Sequence, residues 1–431
     1  MGAMPPRSFD DHRAAVRALV LGLPPGAPEP LSLAAADLAA RPADYLGRTL
    51  AEQVRAPLAL PPFDNAQMDG FAVRSAELAA ASASTPARLP VVGAVHAGDP
   101  PRALPTGAAI AVMTGAAVPE GADAVVPVET AVPARFPAAA ELASGAAAVS
   151  FTQPVQAGLF VRARGSDAPE GAVLLDEGAR LTPPRIGLLA GAGIGTVLVQ
   201  PRLRVLLVST GHELRRPGTP LQPGQIDDAN GPALAHALGL LGVHVVARAC
   251  RSDEPAELLA VIAAEAGAFE LLLTVGGVSA GAREVVREAL APLGVAFGSV
   301  AMQPGGPQGW GWAQLPGAQG RRAVLCFPGN PVSALVSFEA FLRPAIRERQ
   351  GHGRPGRERA TAPLAEALSS PAGKHQLRRG VLDENGALRL VGGASSHLLA
   401  SYAASTVLAH VPVGVAEAAP GEELETWRID D

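Results

Sequence analysis

The spacing of apolar residues divides the chain into stretches of different period. Phe9–Leu21 repeats at helical spacing and runs out near Gly22 and Pro24-Pro25, which predicts a helix. Leu31–Ala40 reads as a short helix or as a strand running into one. From about Val54 the texture changes to short strand-like runs divided by Gly/Pro turns: Leu89–Val95, Ala109–Met113, Ala124–Val128 and Ala146–Phe151. These predict a small inserted β domain, with the alanine-rich Ala138–Ala148 as a surface loop. Gln156–Leu175 returns to turns and short strands. Thr182–Gly193 is predicted helical, with Pro183-Pro184 in its first turn, where a missing N–H does no harm.

Between about Leu203 and Arg349 strands and helices alternate. Arg204–Ser209, Leu271–Val275 and Val324–Phe327 are continuous apolar runs, the pattern of strands covered on both faces. Pro232–Leu241, Pro255–Ala266 and Arg283–Leu290 read as helices between and after them. This predicts an α/β fold, a mostly parallel sheet flanked by helices. Each strand runs into a small polar loop containing glycine: Thr210-Gly211-His212-Glu213, Gly276-Gly277-Val278-Ser279 and Pro328-Gly329-Asn330-Pro331-Val332-Ser333. Parallel strands put such loops on one rim, where open α/β sheets bind ligands. Asn330-Pro331 is a helix start, asparagine capping and proline in the first turn. After a Gly/Arg-rich linker at Gln350–Arg359, the runs Gly380–Leu382, Ala387–Val391 and Thr406–Pro412 predict a small C-terminal β-barrel or sandwich. The expected regions are an N-terminal linker-like domain at 1–50 and 150–185, an inserted β domain at 51–149, an α/β domain at 186–350 and a C-terminal β domain at 351–431.

At 431 residues the chain exceeds a single ordinary core, and 48% hydrophobic with 17% charged residues places it among folded globular proteins. The net charge is −5 and no basic tract occurs, which argues against nucleic acid as a partner. No apolar run is long enough to span a bilayer, and the N-terminus has no basic-then-apolar signal, so the cytoplasm is the expected compartment. Cys250 and Cys326 both fall in or beside strand-like runs and read as core thiols. Lys374 is the sole lysine in an otherwise arginine-rich chain.

Several short patterns carry candidate chemistry. Gly277-Val278-Ser279-Ala280-Gly281 matches the G-x-S-x-G elbow of serine hydrolases, which needs a downstream acid and histidine around Ser279. Gly191-Ala192-Gly193-Ile194-Gly195 follows a helix rather than a strand, so it reads as a helix stop and not a dinucleotide fingerprint. His212 has no second histidine at helical spacing, which excludes a zincin site and leaves a proton carrier, a ligand or a turn residue. Met68-Asp69-Gly70 and Gln225-Ile226-Asp227-Asp228-Ala229-Asn230 offer carboxylates that either bind a hard cation or form turns and caps. A phosphorylated ligand with a divalent ion fits such a rim.

The stretches PPFDNAQMDGFAV, MTGAAVPEGADAVV, RARGSDAPEG, RLTPPRIGLLAGAGI, VLLVSTGHEL, PGQIDDANGPAL, TVGGVSAG, AMQPGGP, FPGNPVSALVSFEAFLRPAI and SSHLLASYA occur in order from Pro61 to Ala403. Together they resemble the molybdopterin molybdenumtransferase family, the MoeA and gephyrin E-domain group. The resemblance implies an elongated homodimer whose cleft joins the α/β domain of one chain to the β domain of the other. It implies Mg²⁺-dependent insertion of molybdate into adenylated molybdopterin with release of AMP. On matching positions it implies catalytic roles for Asp69, Thr114, Asp228 and Glu284, with Asp69 and Asp228 as metal ligands. It implies cofactor-binding roles for Gly276, Gly277, Ser279, Pro304, Gly329, Asn330, Pro331, Ser333, Arg379 and Ser396. The chain departs from the family where Ser299, Gln303 and Gly306 replace lysines, Ser166 and His212 replace acids, and Ala66 and Phe71 replace a serine and a tyrosine. Two readings follow: an active transferase in which Arg283, Arg287 or a partner-chain arginine supplies the missing charge, or a degenerate paralogue that binds a pterin, nucleotide or partner without insertion chemistry.

Overall fold

The computed structural model describes residues 6–279 and 284–430. Arg283, and the Ala280-Gly281 half of the G-x-S-x-G pattern, lie outside the described residues. The chain forms two compact units, one of Met1–Ala51, Gly178–Leu181 and Val197–Asp431, the other of Glu52–Glu177 and Thr182–Thr196.

The second unit holds a five-stranded sheet in the order Ala124–Pro127, Gly70–Val73, Ala109–Val112, Ala87–Val95, Ala148–Phe151. Alternate residues bury on opposite faces: Phe71, Val73, Ala109, Ala111 and Val126 on one, Ala72, Ile110, Val112 and Val125 on the other. Two-sided burial explains why these strands read as unbroken apolar runs. The alanine-rich segment expected as a loop instead forms a helix at Ala139–Ser144. The Glu141 carboxylate accepts the Ala138 N–H at 2.6 Å, and Gly145, at φ 70°, ends the helix in the left-handed region. Alanine's helix propensity, given this start and stop, outweighs exposure.

The first unit begins with α1 (Phe9–Leu21), where the Ser8 hydroxyl accepts the Asp11 N–H at 3.0 Å. Leu31–Ala40 resolves into a strand, Glu29–Ser32, followed by a helix, Ala35–Ala40. The α/β region then runs β1 (Arg204–Thr210), α2 (Asn230–Leu240), β2 (His244–Cys250), α3 (Pro255–Ala264), β3 (Leu271–Val275), α4 (Val285–Leu290), β4 (Ala296–Ser299), β5 (Met302–Gln303), β6 (Pro307–Ala313), β7 (Arg322–Phe327), α5 (Pro331–Ser337) and α6 (Arg343–Arg349). Its six-stranded sheet has the order β2-β1-β3-β7-β6-β4. The first four strands are parallel; β6 and β4 add in antiparallel fashion. Val205, Leu207, Leu271, Leu273, Leu325 and Phe327 face a core closed by α1, α2 and α5. Leu206, Val208, Leu272, Val324 and Cys326 face one closed by α3 and α4. Both cysteines are free and buried.

The C-terminal part contributes β8 (Arg359–Pro363), β9 (His375–Leu382), β10 (Val407–Val411) and β11 (Glu423–Arg428), with Leu388–Leu390 pairing on β9. The sheet order is β5-β9-β10-β11-β8. Its first strand, β5, comes from the α/β sequence and pairs in parallel with β9, Gln303 opposite Gln376. Among the described residues no helix is long and apolar enough to cross a membrane.

Candidate functional site

The parallel order brings the C-terminal ends of β1, β3 and β7 side by side, and their three loops wall a single cavity of ≈ 1020 Å³. The loops lock together through backbone. The Gly276 N–H donates to the Phe327 carbonyl at 3.0 Å, and the Thr210 hydroxyl to the Val275 carbonyl at 3.2 Å. Gly276 sits at φ +103°, and a Cβ there would lie 2.6 Å from the Thr210 carbonyl oxygen. Only glycine satisfies both the backbone angle and the close approach. Thus Gly276, Gly277, Ser279, Gly329, Asn330, Pro331 and Ser333 all line one space, as parallel strand order predicts.

Pro304, Gly305 and Gly306 form a further wall. Gln308, fully buried, donates from Nε2 to the Gly305 carbonyl and to the Ser337 hydroxyl, each at 2.8 Å, which ties this loop to α5. The last wall is Ala394-Ser395-Ser396 from the C-terminal part. Asn330 stands at the N-cap of α5, but its side chain does not cap; Nδ2 donates to the Ser396 hydroxyl oxygen at 2.8 Å. The Val332 N–H donates to the Ser396 carbonyl at 3.2 Å. Asparagine at this position therefore fastens the two walls together.

Two other predicted residues, Arg379 and Asp228, do not line the cavity but support its walls. Arg379 is 2% exposed, donates to the Gly393 carbonyl and supports the loop that carries Ser396; burial pulls its pKa down. Glu284 does line the cavity, and its carboxylate accepts the Ser279 N–H at 3.0 Å, fixing the loop after β3. Asp228 accepts the Gly231 N–H at 2.9 Å, a turn at the start of α2, while its neighbour Asp227 is exposed on the cavity wall. Arg287 does not line the cavity; its guanidinium lies 5.5 Å from the Phe297 ring. Among the described residues no histidine is hydrogen-bonded to Ser279, so a hydrolase acid–base pair is not assembled there.

Asp69 and Thr114 meet in the second unit. One Asp69 oxygen accepts both the Thr114 hydroxyl and the Thr114 N–H, each at 2.7 Å. These bonds, the hydroxyl first, hold the carboxyl below its usual range.

Sequence reasoning offered His212, Asp227 and Glu284 from the cavity's ionisable lining but gave no site role to Glu213, Asp253 or Lys374. Glu213, Asp227 and Asp253 line the cavity together with His212, whose Nδ1 lies 3.3 Å from Asp253 and 3.7 Å from Glu213. Lys374 lines it as well, and among the described residues no arginine does. The signal was available: one lysine stands out in a chain with 35 basic residues.

Family models match in chain order: the MoeA N-terminal region (domains I and II) at residues 7–193, a probable molybdopterin-binding domain at 206–348, and the MoeA C-terminal region (domain IV) at 361–429. "Molybdopterin molybdenumtransferase 2" of Mycobacterium tuberculosis is 41% identical over 89% of this chain and 93% of its own length. "Molybdopterin molybdenumtransferase" of Synechococcus elongatus is 40% identical over 88% and 91%. The crystal structure of a molybdopterin biosynthesis MoeA protein from Pyrococcus horikoshii covers 98% of this chain and 99% of its own, at 28% identity and a TM-score of 0.78. Three consecutive family models and relatives aligned over most of their length lead to one conclusion: the chain belongs to the MoeA family.

Proposed function

We propose that this protein is a molybdopterin molybdenumtransferase of molybdenum cofactor biosynthesis, inserting molybdate into adenylated molybdopterin with magnesium and releasing AMP. The observation that carries the reading is the single cavity at the ends of β1, β3 and β7, closed by Ser396 of the C-terminal part, in a chain that aligns over 89% of its length with a relative of that name. The Gly277 backbone N–H and the hydroxyls of Ser279, Ser333 and Ser396 supply donors for a phosphate or oxyanion, on a loop that the Gly276 N–H holds against Phe327. Fixed donors of this kind need little reorganisation when the ligand arrives, which is the main protein contribution to such transfers.

Magnesium fits as an ion that comes with the ligand. No group of three metal-binding side chains is preassembled among the described residues. Magnesium keeps most of its waters and takes one or two carboxylates plus substrate phosphates. Glu213, Asp227 and Asp253 make one side of the cavity acidic, and a polyanion entering beside them gains from a divalent counter-ion. Asp227 and the second oxygen of Asp228 are our candidates in this unit. When bound, the ion neutralises phosphate charge.

We further assign the Asp69–Thr114 pair to the cavity of a second copy in a homodimer, and keep the four-region division of the chain as part of this reading. The test supplies purified protein with adenylated molybdopterin, Mg²⁺ and molybdate and measures AMP. AMP above the enzyme-free control supports the reading; binding without AMP release favours the degenerate paralogue.

A further inference from the structure

The cavity's charge balance is odd for a site that receives an anion. Glu213, Asp227, Asp253 and Glu284 line it, and Ser299, Gln303 and Gly306 bring no compensating charge. Unscreened carboxylates beside an incoming phosphate or molybdate repel it. Lys374 stands against this background. It is exposed on the cavity wall, and among the described residues its ammonium makes no ion pair or hydrogen bond.

Its place is fixed on both sides. The Lys374 N–H donates to the Pro371 carbonyl at 3.0 Å, and the next residue, His375, donates to the Ala301 carbonyl at 2.8 Å. Met302 then pairs with His375 and Gln303 with Gln376, while Gln376 Nε2 donates to Gln303 Oε1 at 2.7 Å. The strand pair therefore delivers Lys374 from the C-terminal sheet to the edge of the 303–306 loop, the wall without charge of its own. Lysine chemistry suits this position. A compact ammonium with three donors on a long stem can follow a tetrahedral oxyanion without a fixed planar fork.

We propose that Lys374 is the cationic ligand of this cavity, pairing with a tetrahedral oxyanion, either the phosphate of the nucleotide moiety or molybdate. This rests on reading the cavity as the site of an oxyanion-bearing ligand. Because the chain has one lysine, amine acetylation of the full-length protein reports on it directly, with the N-terminal amine as internal control. Labelling is measured by mass spectrometry without ligand, with sodium molybdate, and with AMP plus Mg²⁺. Calorimetry measures binding of the same two probes to wild type, Lys374→Met and Lys374→Arg.

One probe should slow Lys374 acetylation several-fold while leaving the N-terminal amine unchanged. Lys374→Met should weaken that probe about 10–100-fold, the range of one charge-assisted hydrogen bond, and Lys374→Arg should recover most of the loss. The protecting probe identifies the source of the oxyanion. If a probe binds wild type but Lys374 labels at an unchanged rate and Lys374→Met binds equally well, the proposal falls and the cavity reading stands. If neither probe binds wild type, both fall.

Discussion

His12 gives the sharpest test of how the first unit is held together. It lies on α1, fully buried, edge-on to Trp310 at 4.9 Å and Phe341 at 4.7 Å, and neither ring nitrogen finds a partner among the described residues. Burial, helped by nearby Arg7, carries its pKa from 6.5 down to about 3. The folded ring stays neutral where the unfolded chain would bind a proton. Its contribution is therefore complete above pH 6.5 and is lost as pH falls from there toward 3. Linkage over that interval costs about 2 kcal/mol at pH 5 relative to pH 8. His12→Leu removes the titration while filling a similar volume. All three tryptophans, Trp310, Trp312 and Trp427, belong to the first unit, so urea unfolding followed by tryptophan fluorescence reports on it. Between pH 8 and pH 5 wild type should lose about 2 kcal/mol more than His12→Leu, with the other buried histidines cancelling in the comparison. Equal losses in the two proteins would refute a buried neutral imidazole as the anchor of α1.

Gly276→Ala should destabilise the first unit by about 1–3 kcal/mol, since φ is +103° and the new Cβ would lie 2.6 Å from the Thr210 carbonyl oxygen. Gly267→Ala, with nothing within 4 Å, should change little, and equal effects in urea unfolding would contradict the geometry. In the second unit, Thr114→Val removes the hydroxyl that bonds Asp69 but keeps the N–H bond, so the Asp69 carboxyl should titrate at higher pH. An NMR carboxyl titration showing no rise would place the cause elsewhere.

The α/β core was legible because both faces of β1, β3 and β7 are covered, leaving strands that are apolar at every position, and because glycines mark each strand's end. The shared rim followed from parallel order alone. The antiparallel β6 and β4 were not legible: Pro307–Ala313 alternates glycine with tryptophan rather than polar with apolar residues, and its burial does not alternate. At the site, local rules misled where partners are remote in sequence. Asn330 followed by proline signals a cap, yet its amide bonds Ser396, sixty-six residues on. Asp227 and Asp228 are adjacent and chemically identical, and only the turn into α2 decides which one faces the cavity. Lys374 was visible as an oddity of composition, but its significance depends on the pairing of β9 with a two-residue strand too short to leave a periodic trace.

That two-residue strand also bears on how the gene can be cut. Because Met302 and Gln303 complete a sheet whose other members lie beyond residue 358, a stop codon in the 350–358 linker would remove more than an accessory tail. It would strip hydrogen-bonding neighbours from the segment leading into Pro304 and delete Ser396, the latch of Asn330. The same cut would also take Leu377, Leu408 and Trp427 out of the core that α1, α2 and α5 close, so the shape of the cavity's mouth belongs to both stretches of the chain together.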